Sequence, residues 1–350
     1  MRLAAASARR DAPTPRPSAR TDGGKHRASR TRARASRTLA DGARVSAIGI
    51  GTQAWGDAEL GFNARFRERD LELAFERASA RLDGLFVDTA EVYGIKSARF
   101  EQSSEEIVGR CAARARARGR DLRVGTKVFT VPWTNVVMGG GVRLTTASLV
   151  DALRASVARN GGASFDLWSI HFPFPTWGQV ALSDALAEGV NLGLCKAVGV
   201  SNYDAAQMEE MHALLAKRGI ALVTNQVKYS VLDRSAEKSG LLAKAKELDV
   251  AVVAYSPLGG GALHTSPDKD IRTLNKLLEF IGAVNGGKSS SQVALRYLVQ
   301  KGAIPIPSCT SVERADAIAD VLTFELGEED METIDEKMDY IERKSSTARA

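Results

Sequence analysis

From residue 39 onward, eight short apolar runs alternate with longer stretches of helical period, and this alternation constrains the fold more than any other feature. The runs lie near 46–50, 84–88, 123–127, 166–170, 196–200, 222–226, 249–255 and 303–306. Helical periodicity fills 68–82, 104–118, 146–159, 179–189, 204–218, 236–247, 271–282, 290–301, 311–321 and 328–342. Strands that regularly alternate with helices run parallel, because a parallel pair needs a long crossover and a helix supplies it. Eight such units favour an α/β fold of the (β/α)8 barrel type with extra helices, the last of them packed outside the barrel. Helix starts are expected at Ser104, ahead of Glu105 and Glu106, at Thr146 and at Ser311.

Charge divides the chain in two. The net charge is +6 over 350 residues, yet residues 1–38 carry ten Arg and Lys25 against Asp11 and Asp22, which makes that span +9 and leaves −3 for 39–350. The span is rich in Arg, Ala, Ser and Thr and poor in acids, so 1–38 reads as a disordered transit peptide cleaved near residue 38, ahead of a barrel over 39–350. The expected compartment is the chloroplast stroma, with the mitochondrion as the alternative. A retained basic tail that binds anionic polymers is the bland reading. The acidic body argues against nucleic acid as a partner. No apolar run of about 18 residues argues against a membrane span.

Cys111, Cys195 and Cys309 are widely spaced, and four histidines without an HExxH motif offer no metal site. Reduced thiols are expected. Gly282 to Ser289 match the phosphate-loop pattern GxxxxGK[ST], but helical spacing of Leu274, Leu277, Leu278 and Ile281 precedes it where a strand is required. The match is refused on that ground. Nor does GxGxxG follow a strand, since Gly49-Ile50-Gly51 continues with Thr-Gln-Ala, so a dinucleotide would bind without that fingerprint.

Three runs end on groups that can handle protons. Val87-Asp88 is followed by Tyr93, Val124-Gly125-Thr126 by Lys127, and Leu167-Trp168-Ser169-Ile170 by His171. Barrel active sites are built at the C-terminal ends of strands, and this set suits protonation of a carbonyl oxygen. Taken singly, Asp88 is as readily a turn cap, Lys127 a solvated strand end, His171 a core histidine and Tyr93 a packing residue.

Asp88-Thr-Ala-Glu-Val-Tyr93-Gly, Gly125-Thr-Lys127, Ile170-His171-Phe-Pro, Gly199-Val-Ser-Asn-Tyr203, Asn225-Gln226-Val and Ala254-Tyr-Ser-Pro-Leu-Gly259 together resemble the aldo-keto reductase family, in order and spacing, over about residues 42–325. Plant and algal plastid members look most similar. The resemblance implies reduction of an aldehyde or ketone to an alcohol, with hydride from a nicotinamide and a proton from Tyr93. A phenol with a pKa near 10 is a weak acid at neutral pH. Lys127 is therefore expected to stabilise the phenolate, Asp88 to hold Lys127, and His171 to orient the carbonyl and donate to the developing alkoxide.

The resemblance also implies a cofactor bed. Ser201, Asn202 and Gln226 match positions that hold the carboxamide, Tyr255 would stack on the ring, and Ser256, Pro257, Leu258 and the glycines around Gly260 would approach the pyrophosphate. Gly51 and Thr52 would close the site. After the last strand, Ser311 and Arg314 match, and Arg314 favours NADPH, with NADH as the other candidate. Two positions depart: Thr310 stands where relatives have lysine, and Ala317 where they have an acid. Trp55, Trp133 and Phe172 would form an apolar substrate rim, and the Gly-rich segment 131–144 a substrate lid.

A monomer acting on small aromatic or lipid-derived carbonyls, or on pyridoxal, is the leading reading. The alternatives are a cofactor-binding regulatory barrel subunit with little turnover, and a Schiff-base lyase using Lys127.

Overall fold

The computed structural model describes residues 36–94, 102–131 and 143–347. Its main sheet contains β3 (Gly49–Gly51), β4 (Leu85–Asp88), β5 (Leu122–Val128), β6 (Phe165–Ile170), β7 (Cys195–Ser201), β8 (Leu222–Lys228), β9 (Ala251–Tyr255) and β10 (Ile304–Pro305). These eight pair in sequential order, all parallel. The first and last meet where Gly51 bridges to Ser308 and donates its N–H to the Pro307 carbonyl at 2.9 Å. A Cβ on Gly51 would stand 2.8 Å from the Ile306 carbonyl oxygen, so only glycine permits this approach. All eight expected strands are present, and the fold is a (β/α)8 barrel.

The helices are α1 (Glu68–Arg81), α2 (Ser104–Ala117), α3 (Thr146–Arg159), α4 (Gln179–Asn191), α5 (Ala205–Ala216), α6 (Ser235–Lys238), α7 (Leu241–Glu247), α8 (Ala262–Thr265), α9 (Lys269–Val284), α10 (Ser290–Gln300), α11 (Val312–Asp320) and α12 (Glu328–Thr347). The stretch read as one helix over 236–247 is two, because Gly240 adopts φ 79° between them. α2 and α3 start at Ser104 and Thr146 as expected, with Ser103 and Thr145 capping them through capping boxes, and Ser311 caps α11. Ser104 is also buried, hydrogen-bonded to Thr52 and Thr89.

Beneath the barrel, β1 (Ser36–Thr38) and β2 (Arg44–Ser46) form an antiparallel hairpin. Leu39 and Val45 pack with Phe86, Leu167, Ala197, Val223, Val253, Ile304 and Ile306, alternate residues of the strands, and so seal the barrel interior at the end away from the strand C-termini. Ser36–Thr38 fell within the span read as leader; the structure gives it a pairing partner. The larger core cluster lies between strands and helices.

The refused phosphate-loop match falls between two helices. Gly282 lies inside α9, where a Cβ would come within 1.9 Å of the Lys288 carbonyl oxygen, and Ser289 caps α10. The final helix packs outside the barrel. Buried Arg234 anchors it by reaching Asp335 at 2.8 Å and also Asp339. Among the described residues no helix is long and apolar enough to cross a membrane.

Candidate active site

Sheet register brings the four proton-handling groups together. Asp88 ends β4 opposite Gly125 of β5, and Lys127 lies opposite Ser169 of β6, two residues before His171. Beyond β4 the chain continues to pair with β5, as Thr89 N–H donates to the Gly125 carbonyl and Glu91 N–H to the Lys127 carbonyl. This pairing carries Tyr93 over the lysine.

The Lys127 ammonium donates to both Asp88 carboxylate oxygens at 2.7 Å and to the Thr89 carbonyl at 2.8 Å. Three donors meet three acceptors in a setting where Lys127 is 2% and Asp88 4% exposed. The same Nζ lies 4.9 Å from the centre of the Tyr93 ring. The Tyr93 ring in turn meets His171 edge-on, with centroids 6.0 Å apart.

Burial pushes the Tyr93 phenol well above its ordinary pKa, and the Asp88 charge adds to the rise. Sequence reasoning expected the opposite direction from Lys127. The difference follows from burial first: desolvation of the phenol dominates, and the Asp88 carboxylate that chelates the ammonium adds its own charge to the rise. Burial also lowers the Lys127 pKa, a fall opposed by Asp88. Desolvation, reinforced by the Lys127 charge, holds His171 well below the usual histidine value, so the ring is neutral near pH 7. Its Nδ1 is buried without a hydrogen-bond partner among the described residues.

The amide and hydroxyl groups read as a carboxamide bed form one connected network. Ser201 Oγ donates to the Gln226 carbonyl at 2.8 Å, and Asn202 Nδ2 donates to Ser201 Oγ at 3.1 Å and to the His171 carbonyl at 3.0 Å. Tyr255 donates its hydroxyl proton to Asn202 Oδ1 at 3.0 Å, and Gln226 Nε2 donates to Asp88 Oδ1 at 2.7 Å. Asn202 and Ser256 sit at φ 61° and 48°, left-handed conformations that non-glycine residues rarely adopt. Pro257 and Leu258 lead into Gly259, Gly260 and Gly261, all at positive φ. A Cβ on Gly260 or Gly261 would meet nothing within 4 Å, so backbone there borders open space.

Past β10, Arg314 Nη1 donates to Thr310 Oγ1 at 3.1 Å, while Ser311 Oγ accepts from Arg314 N–H at the start of α11. The departing threonine thus braces the arginine. At Ala317 the backbone carbonyl accepts from Gln292 Nε2 at 3.1 Å.

Two expected site residues take other tasks. Trp55 is fully buried, donates its indole N–H to the Cys309 carbonyl at 3.0 Å and packs edge-on against Phe75, so it belongs to the core and not to a substrate rim. Thr52 is likewise buried, with its hydroxyl on the Asp88 carbonyl at 2.8 Å and on Ser104, where it supports the Asp88 loop instead of facing a cofactor. Phe172 is 38% exposed and stacks on His171 with centroids 5.0 Å apart, consistent with a rim position. Trp133 and the other residues from 132 to 142 of the segment 131–144 read as a lid lie outside the described residues.

Phe129 and the Glu91–Arg143 ion pair escaped sequence reasoning. Phe129 meets His171 edge-on at 5.4 Å and Phe172 at 5.6 Å. Glu91 stands inside the Asp88–Tyr93 motif, yet nothing in spacing or composition marks Arg143 as its partner 52 residues away.

A barrel that gathers an acid, a lysine, a tyrosine and a neutral histidine at the C-terminal ends of adjacent strands defines the class, an oxidoreductase of (β/α)8 architecture. The family model described as "Aldo/keto reductase family" matches residues 47–339, and the chain belongs to that family. It is similar to a chloroplastic pyridoxal reductase of Arabidopsis thaliana, 30% identical over 291 residues that cover 77% of this chain and 76% of the relative. Among solved structures, a thermostable aldo-keto reductase in complex with the inhibitor epalrestat superposes with a TM-score of 0.71 at 28% identity, over 86% of this chain and 99% of that one. An aldo-keto reductase of Bombyx mori in complex with NADP gives 0.66 at 26% identity, over 86% and 92%.

Proposed function

We propose that this protein reduces an aldehyde or ketone to an alcohol with NADPH, taking the proton from Tyr93. The observation that carries the reading is the contact chain from Asp88 through Lys127 and Tyr93 to His171. A nicotinamide dinucleotide fits the neighbouring residues on two counts. Ser201, Asn202 and Gln226 offer the mixed donors and acceptors a carboxamide needs, and Gly260 and Gly261 border open space where a Cβ would narrow the approach of a pyrophosphate. Arg314, braced by Thr310, is the residue for a 2′-phosphate and favours NADPH over NADH.

Bound NADPH supplies the hydride to the carbonyl carbon. The protein's task is the oxygen. Tyr93 holds its proton firmly, because burial and Asp88 raise the phenol pKa, and it releases the proton as negative charge builds on the carbonyl oxygen. An alkoxide is a stronger base than a phenolate, so this transfer runs downhill. His171, neutral and wedged between Phe129 and Phe172, has one N–H to donate to the same oxygen without carrying a competing charge. Asp88 keeps Lys127 in place beneath the tyrosine.

Phe129 and Phe172 form an apolar wall that suits small aromatic or lipid-derived carbonyls as the substrates of a monomeric enzyme. The barrel and its hairpin, which begins at Ser36, follow a basic leader for import into a plastid, a compartment that agrees with the chloroplastic name of the Arabidopsis thaliana relative.

The test is turnover of NADPH with 4-nitrobenzaldehyde and with pyridoxal, followed by loss of the reduced cofactor's absorbance, in the wild type and in Tyr93→Phe. The variant is expected to lose about 100-fold or more in kcat while NADPH still quenches tryptophan fluorescence. Undiminished turnover in Tyr93→Phe would overturn the proton-donor role. Absence of NADPH quenching in the wild type would overturn the reductase reading.

A further inference from the structure

We propose that the buried Glu91–Arg143 ion pair is a positioning device for the carbonyl pocket, acting through Phe129 on His171. This rests on the reductase reading above for its kinetic consequence. Both partners are almost fully buried, Glu91 at 2% and Arg143 at 1% exposure. Arg143 grips the carboxylate with two prongs, Nη1 to Oε1 at 2.7 Å and Nη2 to Oε2 at 3.2 Å.

The pair also holds both polar groups of one peptide residue. Phe129 N–H donates to Glu91 Oε1 at 2.6 Å, and the Phe129 carbonyl accepts from Arg143 Nη1 at 2.5 Å. Phe129 directly follows β5, where the sheet no longer dictates backbone direction. Without the pair, its N–H and carbonyl would have to find other partners in a part-buried setting. With it, the ring is fixed edge-on against both His171 and Phe172. Neighbouring bonds extend the fixation, since Thr130 Oγ1 donates to the Phe172 carbonyl at 2.7 Å and Trp177 Nε1 to the Thr130 carbonyl at 2.8 Å.

Structural support alone does not explain why charge is used here. Two ions taken out of water are costly, and apolar replacement of a buried pair is often neutral or stabilising. What a bidentate guanidinium–carboxylate contact adds is direction. The pair also connects three parts of the mouth: Glu91 from the Asp88–Tyr93 loop, Phe129 after β5, and Arg143 ahead of α3. It therefore couples the loop that carries the tyrosine to the wall that carries the histidine.

The experiment is a double-mutant cycle of Glu91→Gln and Phe129→Ala, with reduction of 4-nitrobenzaldehyde by NADPH as the kinetic readout. Glu91→Gln is expected to lower kcat/KM about tenfold, mainly through KM, with NADPH affinity changed by less than about twofold. In the Phe129→Ala background the same substitution should have little further effect, because the element it acts through is gone. Equal effects in both backgrounds would overturn the proposal. Should Glu91→Gln misfold, Glu91→Gln/Arg143→Met removes both charges and leaves no buried ion unpaired, and it enters the cycle in its place.

A readout free of turnover separates this proposal from the reductase reading. The NMR resonance of the His171 ring carbon-bound proton senses the ring currents of Phe129 and Phe172, and is assigned by its loss in His171→Asn. Glu91→Gln should move it toward its position in Phe129→Ala. An unmoved resonance would overturn the positioning role even in an enzyme that turns over, whereas a moved resonance in a protein that reduces no carbonyl would uphold the positioning and overturn only the reductase reading.

Discussion

Lys127 is chelated by Asp88: its ammonium lies 2.7 Å from each carboxylate oxygen, in a setting almost closed to solvent. Removing one member of such a pair leaves a buried charge uncompensated, which typically costs about 3–5 kcal/mol. Asp88→Asn is expected to lose stability of that order in urea denaturation and to fall in carbonyl reduction, because Lys127 and Gln226 both take direction from this carboxylate. An unchanged denaturation midpoint would show that the lysine sheds its proton or finds water instead.

His171 makes stability depend on pH. Its folded pKa lies well below the ordinary value, so between about pH 6.5 and the folded pKa the unfolded chain binds a proton that the folded protein refuses. Stability therefore rises with pH through this window and falls as pH drops below about 6.5, at up to about 1.4 kcal/mol per pH unit. His171→Asn should flatten the slope of denaturation free energy against pH by one proton relative to wild type. Parallel slopes would mean that His171 is protonated in the folded protein.

Arg314 is held by Thr310 beside the start of α11. Loss of a charge-assisted bond costs roughly 1.5–3 kcal/mol, so Arg314→Ala should weaken NADPH about tenfold or more and leave NADH nearly unaffected. Titration of tryptophan fluorescence with each cofactor measures both. A uniform loss would remove Arg314 from 2′-phosphate recognition.

Cys111, Cys195 and Cys309 are buried, and desolvation pushes each thiol up to about 12. A thiol-reactive dye at about pH 8 is expected to label none of them in the folded protein and all three in denaturant, because the thiolate is the reacting form. Rapid labelling under native conditions would reveal local opening near the labelled residue.

Much of the barrel was legible before any coordinates. Strand positions followed from apolar runs, and Asp88, Tyr93, Lys127 and His171 declared themselves by standing where those runs end. Residue type and strand phase are local properties, so they survive in a linear string. Side-chain direction is not local. Trp55, three residues after Thr52 at the edge of β3, looked like a rim aromatic, yet it turns into the core to satisfy its indole N–H on Cys309. Thr52 turns likewise toward the Asp88 carbonyl.

The amino-acid sequence alone therefore determined the architecture and marked the acid, tyrosine, lysine and histidine that stand at its strand ends, because periodicity and strand ends encode both. Only the tertiary structure decided how those groups are tuned. The pKa of Tyr93 rises because the fold buries the phenol and sets the Asp88 charge beside it, and Glu91 and Arg143, which hold the Phe129 backbone beside His171, meet only once the chain has folded. Desolvation and long-range pairing depend on what surrounds a residue in space, and a sequence records only what precedes and follows it.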